Sequence, residues 1–506
     1  MKAKQILLSA ILIISLINNS QSEELFQNVR GKIEGLVAEK HVPSIAVAVA
    51  RDGKIIWEEG FGLADRERNI PASAHTIYCY ASISKTLLST GLMVLVEKKL
   101  IDLDRPINEY LGKTKLKAWV GNAEEATVRR VADHTAGLPT YYNFFYEDES
   151  YQPPPREETI HKYGIMVTPP GEHYEYSNLG FGILDHLISR VSGKNYADFM
   201  REEVFVPLGM THTSVGIMPE HKDLLATMYA PDGSALPFFR LDTPGAGETY
   251  GSVHDLILYA MFHLKTLLPH QKAIISDAAI EEMRRPTAQH PVAGVGISLG
   301  WGVLKGGDDL LLLGADGGAV GIRTILYLVP RENIAIAVLS NTNTRKPDEI
   351  AFEILGTLLP GKLSGLLALL ASAKAGEKSF IPAEELIGIW KGNIHFDKKR
   401  IPVVLEVQKS GQIYANLNNQ TRIMVSDINY QSDFLGVFKS AGGGPFLRGS
   451  FKGDLRTEDT LRHPPDRLWF ELKLRGNILN GSLLAVYSTP TRMGYILPHY
   501  VELRKI

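Results

Sequence analysis

Strand signals stand at both ends of residues 43–340 with helical patterns between them, and this arrangement constrains the chain more than any other feature. Ile45 to Ala50 and Lys54 to Trp57 read as β-branched strand segments joined by Arg51-Asp52-Gly53, a hairpin signal. Strand signals return at Thr324 to Val329 and Ile334 to Leu339, with Glu332-Asn333 as the turn. Helices are predicted at Ser82 to Lys98, Val128 to Ala132, Phe181 to Val191 and Tyr196 to Glu203, with a Pro-rich loop from Pro153 to Gly171 between the second and third. One α+β domain beginning with an antiparallel pair is the expected result.

Near residue 380 the texture changes. Leu363 to Lys374 reads as a closing helix, and Ala375-Gly376-Glu377-Lys378 has linker composition. Beyond it come short alternating strands, Val403 to Val407, Ile413 to Leu417, Trp469 to Leu474 and Leu483 to Val486, broken by Gly and Asn turns. A small all-β barrel or sandwich follows from that pattern. The expected division is a leader over 1–22, a first domain over 23–378 and a β domain over 379–506. The 506 residues suffice for two such units.

The leader rests on Lys2 and Lys4, an apolar run from Ile6 to Ile17, and small or polar residues from Asn18 to Ser22. Such a pattern describes a secretory signal peptide, since a dozen or so apolar residues are too few to span a bilayer core of about 30 Å. An uncleaved anchor or a buried helix would share it. No cysteine directly follows the run, which argues against a lipid anchor. A periplasmic or secreted protein without a membrane span after cleavage is the expectation. Lys+Arg 54 against Asp+Glu 56 leaves no basic face for nucleic acid. Cys79 is the single cysteine, so no intrachain disulfide can form; it is expected to be a buried small hydrophobe rather than a nucleophile.

Candidate chemistry starts at Ser82-Ile83-Ser84-Lys85, where a hydroxyl and an amine three residues apart share one face of a predicted helix start. Apolar neighbours and the positive end of the helix favour a neutral Lys85 amine, the form able to take a proton from Ser82. The same four residues also describe an N-capping serine beside a solvated lysine. Tyr176-Ser177-Asn178 follows Pro170-Gly171 and precedes a predicted helix, from which a phenol and an amide can both point into a cleft. A phenol acidified by a neighbouring cationic Lys85 would share the general-base work; an ordinary Pro-Gly turn and helix cap is the plainer alternative.

These phrases, with Asp133-His134-Thr135-Ala136-Gly137-Leu138-Pro139 and Pro207-Leu208-Gly209-Met210 in the same order, resemble the class C β-lactamase, serine D,D-peptidase and esterase family over roughly residues 30–350. The resemblance implies an antiparallel sheet flanked by helices, a second all-helical part, and a cleft between them. It implies acylation of Ser82, with Lys85 and Tyr176 as proton shuttles, Asn178 as a substrate contact, and the backbone N–H of Gly318 paired with that of Ser82 as an oxyanion hole. The chain departs from the pattern at Ala315-Asp316-Gly317, where the family usually opens with Lys or His. Asp316 is then expected to place a negative charge where penicillins and D-Ala termini carry theirs, favouring an uncharged ester or amide or a cationic substrate. Gly388-Ile389-Trp390-Lys391-Gly392 resembles the opening of the lipocalin-like barrel found in some relatives, which shapes the cleft or a partner surface, or merely stabilises.

A rival nucleophile, Ser298 in Gly296-Ile297-Ser298-Leu299-Gly300, matches G-x-S-x-G, but Gly300-Trp301-Gly302 and Gly306-Gly307 downstream read as strand and hairpin rather than the helix that motif needs. His134 has no second ligand at metal spacing, so a structural hydrogen bond is expected of it. No metal or cofactor is implied. The expected function is an exported serine hydrolase acting on a small-molecule or peptide substrate: an ester, an amide, a D-amino acid peptide of cell-wall origin or a β-lactam. The competing classes are an inactive penicillin-binding-like ligand-binding protein and a scaffold acting through its barrel.

Overall fold

The computed structural model describes residues 24–290, 294–306, 310–366, 380–396, 399–429 and 446–506. The expected leader and linker, and all but the first turn of the expected closing helix, lie outside them. Nine antiparallel strands form the central sheet, in the spatial order Ala288–Gln289, Val295–Ile297, Gly302–Lys305, Leu311–Ala319, Ile322–Val329, Ile334–Ser340, Ser44–Arg51, Lys54–Asp65 and Ile70–Pro71. The first strands thus pair beside the last, with Ile45 opposite Ser340 and Arg51 opposite Ile334. Asp52 (φ 50°) and Gly53 (φ 75°) make the expected tight hairpin, and Asn333 (φ 48°) turns the later one.

Strand alternation sorts the two faces by size. Ile45, Val47, Val49, Ile334, Ile336 and Val338 point to a layer formed by a helix over 24–38 and the helix Lys346–Leu358. Ala46, Ala48, Ala50, Ala335 and Ala337 point the other way, and their small size lets the helix Val253–His263 lie close on the sheet. Beyond it sits the helix Ser84–Glu97, buried on nearly every side, with Leu87, Leu88 and Leu92 each contributing about 1.5–3 kcal/mol by burial. The expected helix at Phe181 is longer, Asn178–Ser192, capped by Ser177 and closed by Gly193 in the left-handed region. Tyr196–Met200 is α-helical and continues as a π-helical turn, Arg201–Phe205. The α+β fold is as read from the sequence; helices 24–38, Val253–His263, Asp277–Arg284 and Lys346–Leu358 were not, and the expected loop Pro153 to Gly171 instead holds the helix Arg156–Tyr163, started by Pro155 and carrying Glu157 and Glu158 in its first turn.

The C-terminal strands form a nearly closed all-β barrel, from Gly388–His395 to Arg492–Lys505. Its two edge strands, Ile423–Met424 and Ser426–Asn429, are separated in sequence only by Val425, so the seam falls where one strand hands over to the next. A strand of the first unit, Tyr142–Tyr146, joins the barrel sheet by pairing Asn143 with Tyr495 and Tyr142 with Ile496, and pairs on its other side with Phe239–Leu241. The junction is further held by the Tyr163 hydroxyl donating to Asp459 at 2.6 Å, Lys162 at 2.9 Å from the same carboxylate, and Trp119 stacked 5.0 Å from Tyr500. One apolar cluster runs without a break from Leu87 and Leu92 to Trp390 and Leu405. Among the described residues no helix is long and apolar enough to cross a membrane.

Candidate active site

Ser82 sits in a short 3-10 turn, Ala81–Ile83, immediately before the helix Ser84–Glu97. Ala81 ahead of it has φ 47°, a left-handed conformation costing a non-glycine residue roughly 1–2 kcal/mol. The surroundings hold it there: Tyr80 N–H donates to the Thr249 carbonyl at 2.8 Å, and the Tyr80 carbonyl accepts from Thr324 Oγ1 at 2.9 Å. Strand Leu311–Ala319 passes so near that a Cβ on Gly317 would stand 2.3 Å from the Tyr80 carbonyl oxygen. Only glycine fits at 317, and Gly318 is thereby carried alongside the turn that bears Ser82.

The expected Ser–Lys–Tyr trio converges. Lys85 Nζ lies 3.4 Å from Ser82 Oγ and donates at 2.6 Å to the Ala246 carbonyl. It also lies 4.8 Å from the Tyr176 ring centroid and 5.5 Å from that of Phe181. The Ala246 turn is itself fixed by Gly245 N–H donating at 2.8 Å to Asp185, on the helix Asn178–Ser192. Tyr176 OH donates to Ser82 Oγ at 2.8 Å. The acidified phenol expected from the sequence is not found. Burial, with Asp316 adding to it, pushes the Tyr176 phenol above its ordinary range against the opposing pull of its Ser82 hydrogen bond, so it stays a neutral donor.

His134 (φ 65°) takes the structural part expected of it, its Nδ1 accepting from Ser177 N–H at 3.0 Å. Burial, then Lys85, holds its imidazole well below the ordinary range and neutral. Asn178 opens the following helix; its Oδ1 is buried without a hydrogen-bond partner, and the residue is not among those lining the Ser82 cavity, so the substrate contact expected of it is not seen. Cys79 is buried and its thiol is pushed up to about 12 by burial, which leaves it inert. Ser298 lies on the hairpin turn between Val295–Ile297 and Gly302–Lys305, with no helix following.

Asp316 requires a correction to the charge argument. Its carboxylate is nearly buried and ion-paired with Arg323, whose Nε also donates at 2.7 Å to Asp348. Burial works against it, yet Asp348 and Asp316 hold the Arg323 guanidinium firmly protonated. The negative charge expected to face a substrate is therefore drawn onto Arg323 of the neighbouring strand, which it shares with Asp348, and is offset only in part, since Asp316 still raises the Tyr176 phenol. The cation usual at the start of this phrase is still absent, with Ala315 in its place.

A cavity of about 50 Å³ is lined by Ser82, Lys85, His134, Tyr176, Trp301 and Ala315, and Tyr174 divides it from a second of about 720 Å³ bounded by Arg129, Arg130, Glu172, His173 and His290. Among the described residues no group of three or more His, Cys, Asp or Glu could hold a metal ion. Ala246, Gly317 and Arg323 escaped sequence reasoning. A glycine inside a strand pattern was the available signal for Gly317.

A serine, a lysine one turn on and a tyrosine from a separate loop, set beside a glycine-bearing strand edge, define the serine β-lactamase and penicillin-binding-protein class of site. The Beta-lactamase family profile matches residues 29–355, and the chain belongs to that family. It is 28% identical over 217 residues to Penicillin-binding protein 4* of Bacillus subtilis, covering 41% of this chain and 47% of that protein. To Protein flp of Staphylococcus aureus it is 26% identical over 338 residues, 65% of this chain and 64% of that protein. The chain thus spans between about half and two thirds of these relatives' length. In fold it is similar to the octameric penicillin-binding protein homologue from Pyrococcus abyssi, with TM-score 0.59, 22% identity and coverage of 93% of this chain and 99% of that one. A class C β-lactamase gives TM-score 0.58 at 19% identity, covering 68% and 98%.

Proposed function

We propose that the chain is an exported serine hydrolase that works through an acyl-enzyme on Ser82. The observation that carries this reading is the position of Ser82 Oγ, 2.8 Å from the Tyr176 hydroxyl and 3.4 Å from Lys85 Nζ. Lys85 takes the hydroxyl proton as Ser82 Oγ attacks the substrate carbonyl carbon. The negative charge gathers on the carbonyl oxygen, where the Ser82 and Gly318 backbone N–H groups serve as donors. When the tetrahedral species collapses, the proton held by Lys85 passes to the leaving alcohol or amine through the Tyr176 hydroxyl, which gives up one proton and receives another. Water then attacks the ester by the same route in reverse, restoring Ser82 and releasing the acid.

The substrate in this reading is an ester, an amide, a D-amino acid peptide or a β-lactam. Similarity to a penicillin-binding protein and to a class C β-lactamase supports the last two. Ala315 in place of a cation, beside an Asp316 that shares Arg323 with Asp348, supports donors whose binding does not depend on a carboxylate near 315. The basic start and apolar run of residues 2–17 support a periplasmic or secreted site of action.

The test is peptide mapping after treatment with a fluorophosphonate. An adduct on the Ser82 peptide, absent in Ser82→Ala, is the expected result. A folded protein that gains no adduct there would overturn the enzyme reading in favour of a ligand-binding protein.

A further inference from the structure

The segment Gly171 to Ser177 has no regular secondary structure and carries Tyr174 and Tyr176 into the Ser82 cavity. In extended backbone successive side chains face opposite ways. His173 and Glu175 accordingly face away from the cavity. The His173 ring lies 4.7 Å from that of Phe446 on barrel strand Phe446–Phe451. Glu175, with burial ahead of it, pushes the carboxyl of barrel residue Glu471 above its ordinary range despite the Arg448 ion pair. At the start of the segment, barrel strand Arg467–Arg475 supplies two cations to one carboxylate. Arg475 Nη2 donates to Glu172 at 2.6 and 2.8 Å, and Lys473 pairs with the same group. Although burial opposes it, Lys473 and Arg475 hold the Glu172 carboxyl below the usual range.

On the first unit's side the same segment is held by His134 and Thr140. Glu175 N–H donates to the His134 carbonyl at 2.8 Å, Ser177 N–H to His134 Nδ1 at 3.0 Å, and Thr140 Oγ1 to the Tyr176 carbonyl at 3.0 Å. All of these ties sit at or after residue 175. Before it, Gly171 N–H donates to the Thr135 carbonyl at 2.6 Å, and Gly171 occupies the left-handed region at φ 84°. His173 also lies 3.4 Å from Glu175, which accepts from Thr140 N–H at 3.1 Å, but the side-chain partners of Glu172, Lys473 and Arg475, are both in the barrel.

We infer that the barrel is a working part of the site: Lys473 and Arg475 are positioning residues that, through Glu172, hold the segment carrying Tyr176 against Ser82. This rests on the Ser82 acylation reading for its consequence, while the anchoring itself does not. A phenol held at 2.8 Å from its partner is sensitive to small displacements, and a shift of 1 Å at a catalytic contact costs up to about a hundredfold in rate.

The experiment compares the full chain with Lys473→Met/Arg475→Met, with the charge-preserving Lys473→Arg/Arg475→Lys, and with Glu172→Gln, which removes the same pairs from the other side. Amide hydrogen exchange over residues 172–178 and the rate and end point of fluorophosphonate labelling are followed together with the melting temperature. The Met pair and Glu172→Gln are expected to speed exchange in 172–178 by about tenfold or more and to slow labelling by a similar factor. The labelling end point stays at that of the unmodified chain, and the charge-preserving pair behaves like it. A merely structural barrel would lower the melting temperature or the end point and leave the rate of the folded fraction unchanged. Unchanged exchange in both Glu172→Gln and the Met pair overturns the inference. Should the unmodified chain take no label, the acylation reading fails by itself and the exchange comparison still decides the anchoring.

Discussion

Arg323 forms an ion pair with Asp316 on the adjacent strand while its Nε donates at 2.7 Å to Asp348 at the start of helix Lys346–Leu358. One guanidinium thus serves two carboxylates, and all three groups are largely removed from water. Removing one member of such a set strands the others. Arg323→Ala is expected to cost about 3–5 kcal/mol of unfolding free energy, and Asp316→Asn distinctly less because Arg323 keeps Asp348. Urea denaturation of the two variants measures the difference.

Ala315 opens the phrase that ordinarily starts with a cation, and it lines the Ser82 cavity. Ala315→Lys is expected to raise acylation by carboxylate-bearing donors over neutral esters by about tenfold, one added charge-assisted contact being worth about 1.5 kcal/mol. Paired rates on a neutral ester and its carboxylate analogue check it. An unchanged ratio would mean that position 315 does not reach the acyl donor.

Gly317 lies where a Cβ would meet the Tyr80 carbonyl oxygen at 2.3 Å and Thr324 Oγ1 at 2.4 Å. Gly317→Ala is expected to push the strand away from Ser82, slowing fluorophosphonate labelling about a hundredfold and costing about 1–3 kcal/mol of stability. Tyr176→Phe, by contrast, should slow labelling by about 10²–10⁴ with little change in melting, since only the hydroxyl is lost.

Glu248 is buried, with its carboxyl raised to about 7 by burial and its Oε2 accepting from Leu241 N–H at 2.7 Å. Its folded value lies above the unfolded one near 4.5, so the folded state holds the proton more tightly. The stability this group contributes is complete below pH 4 and is lost as pH rises through 7. Glu248→Gln is therefore expected to match the parent at pH 4 and to exceed it at pH 8 by about 3 kcal/mol. Melting curves at the two pH values check the sign as well as the size.

The convergence of Ser82, Lys85 and Tyr176 was legible because it depends on local spacing and on loop and helix signals. The α+β class was legible because Ile45 to Ala50 and Ile334 to Leu339 alternate as strands must. Arg323 was not, because its partner Asp316 is chosen by the register of two strands, in which Gly318 faces Arg323 and Asp316 lies diagonally across. The direction of the Tyr176 shift was misread for a related reason. A neighbouring lysine can be seen in sequence, whereas the burial that outweighs it is a property of the packed molecule. Helix 24–38 and helix Lys346–Leu358 went unread, although together they cover one whole face of the sheet.

The strand Tyr142–Tyr146 belongs to two sheets at once, and the apolar cluster around it passes from one unit into the other. A cut near residue 380 would leave that strand with a bare edge and strip Tyr163 and Lys162 of Asp459. The barrel is consequently not a portable module that recombination could add or remove cleanly. A graft of this barrel onto another member of the family would have to bring Tyr142 to Tyr146 along with it.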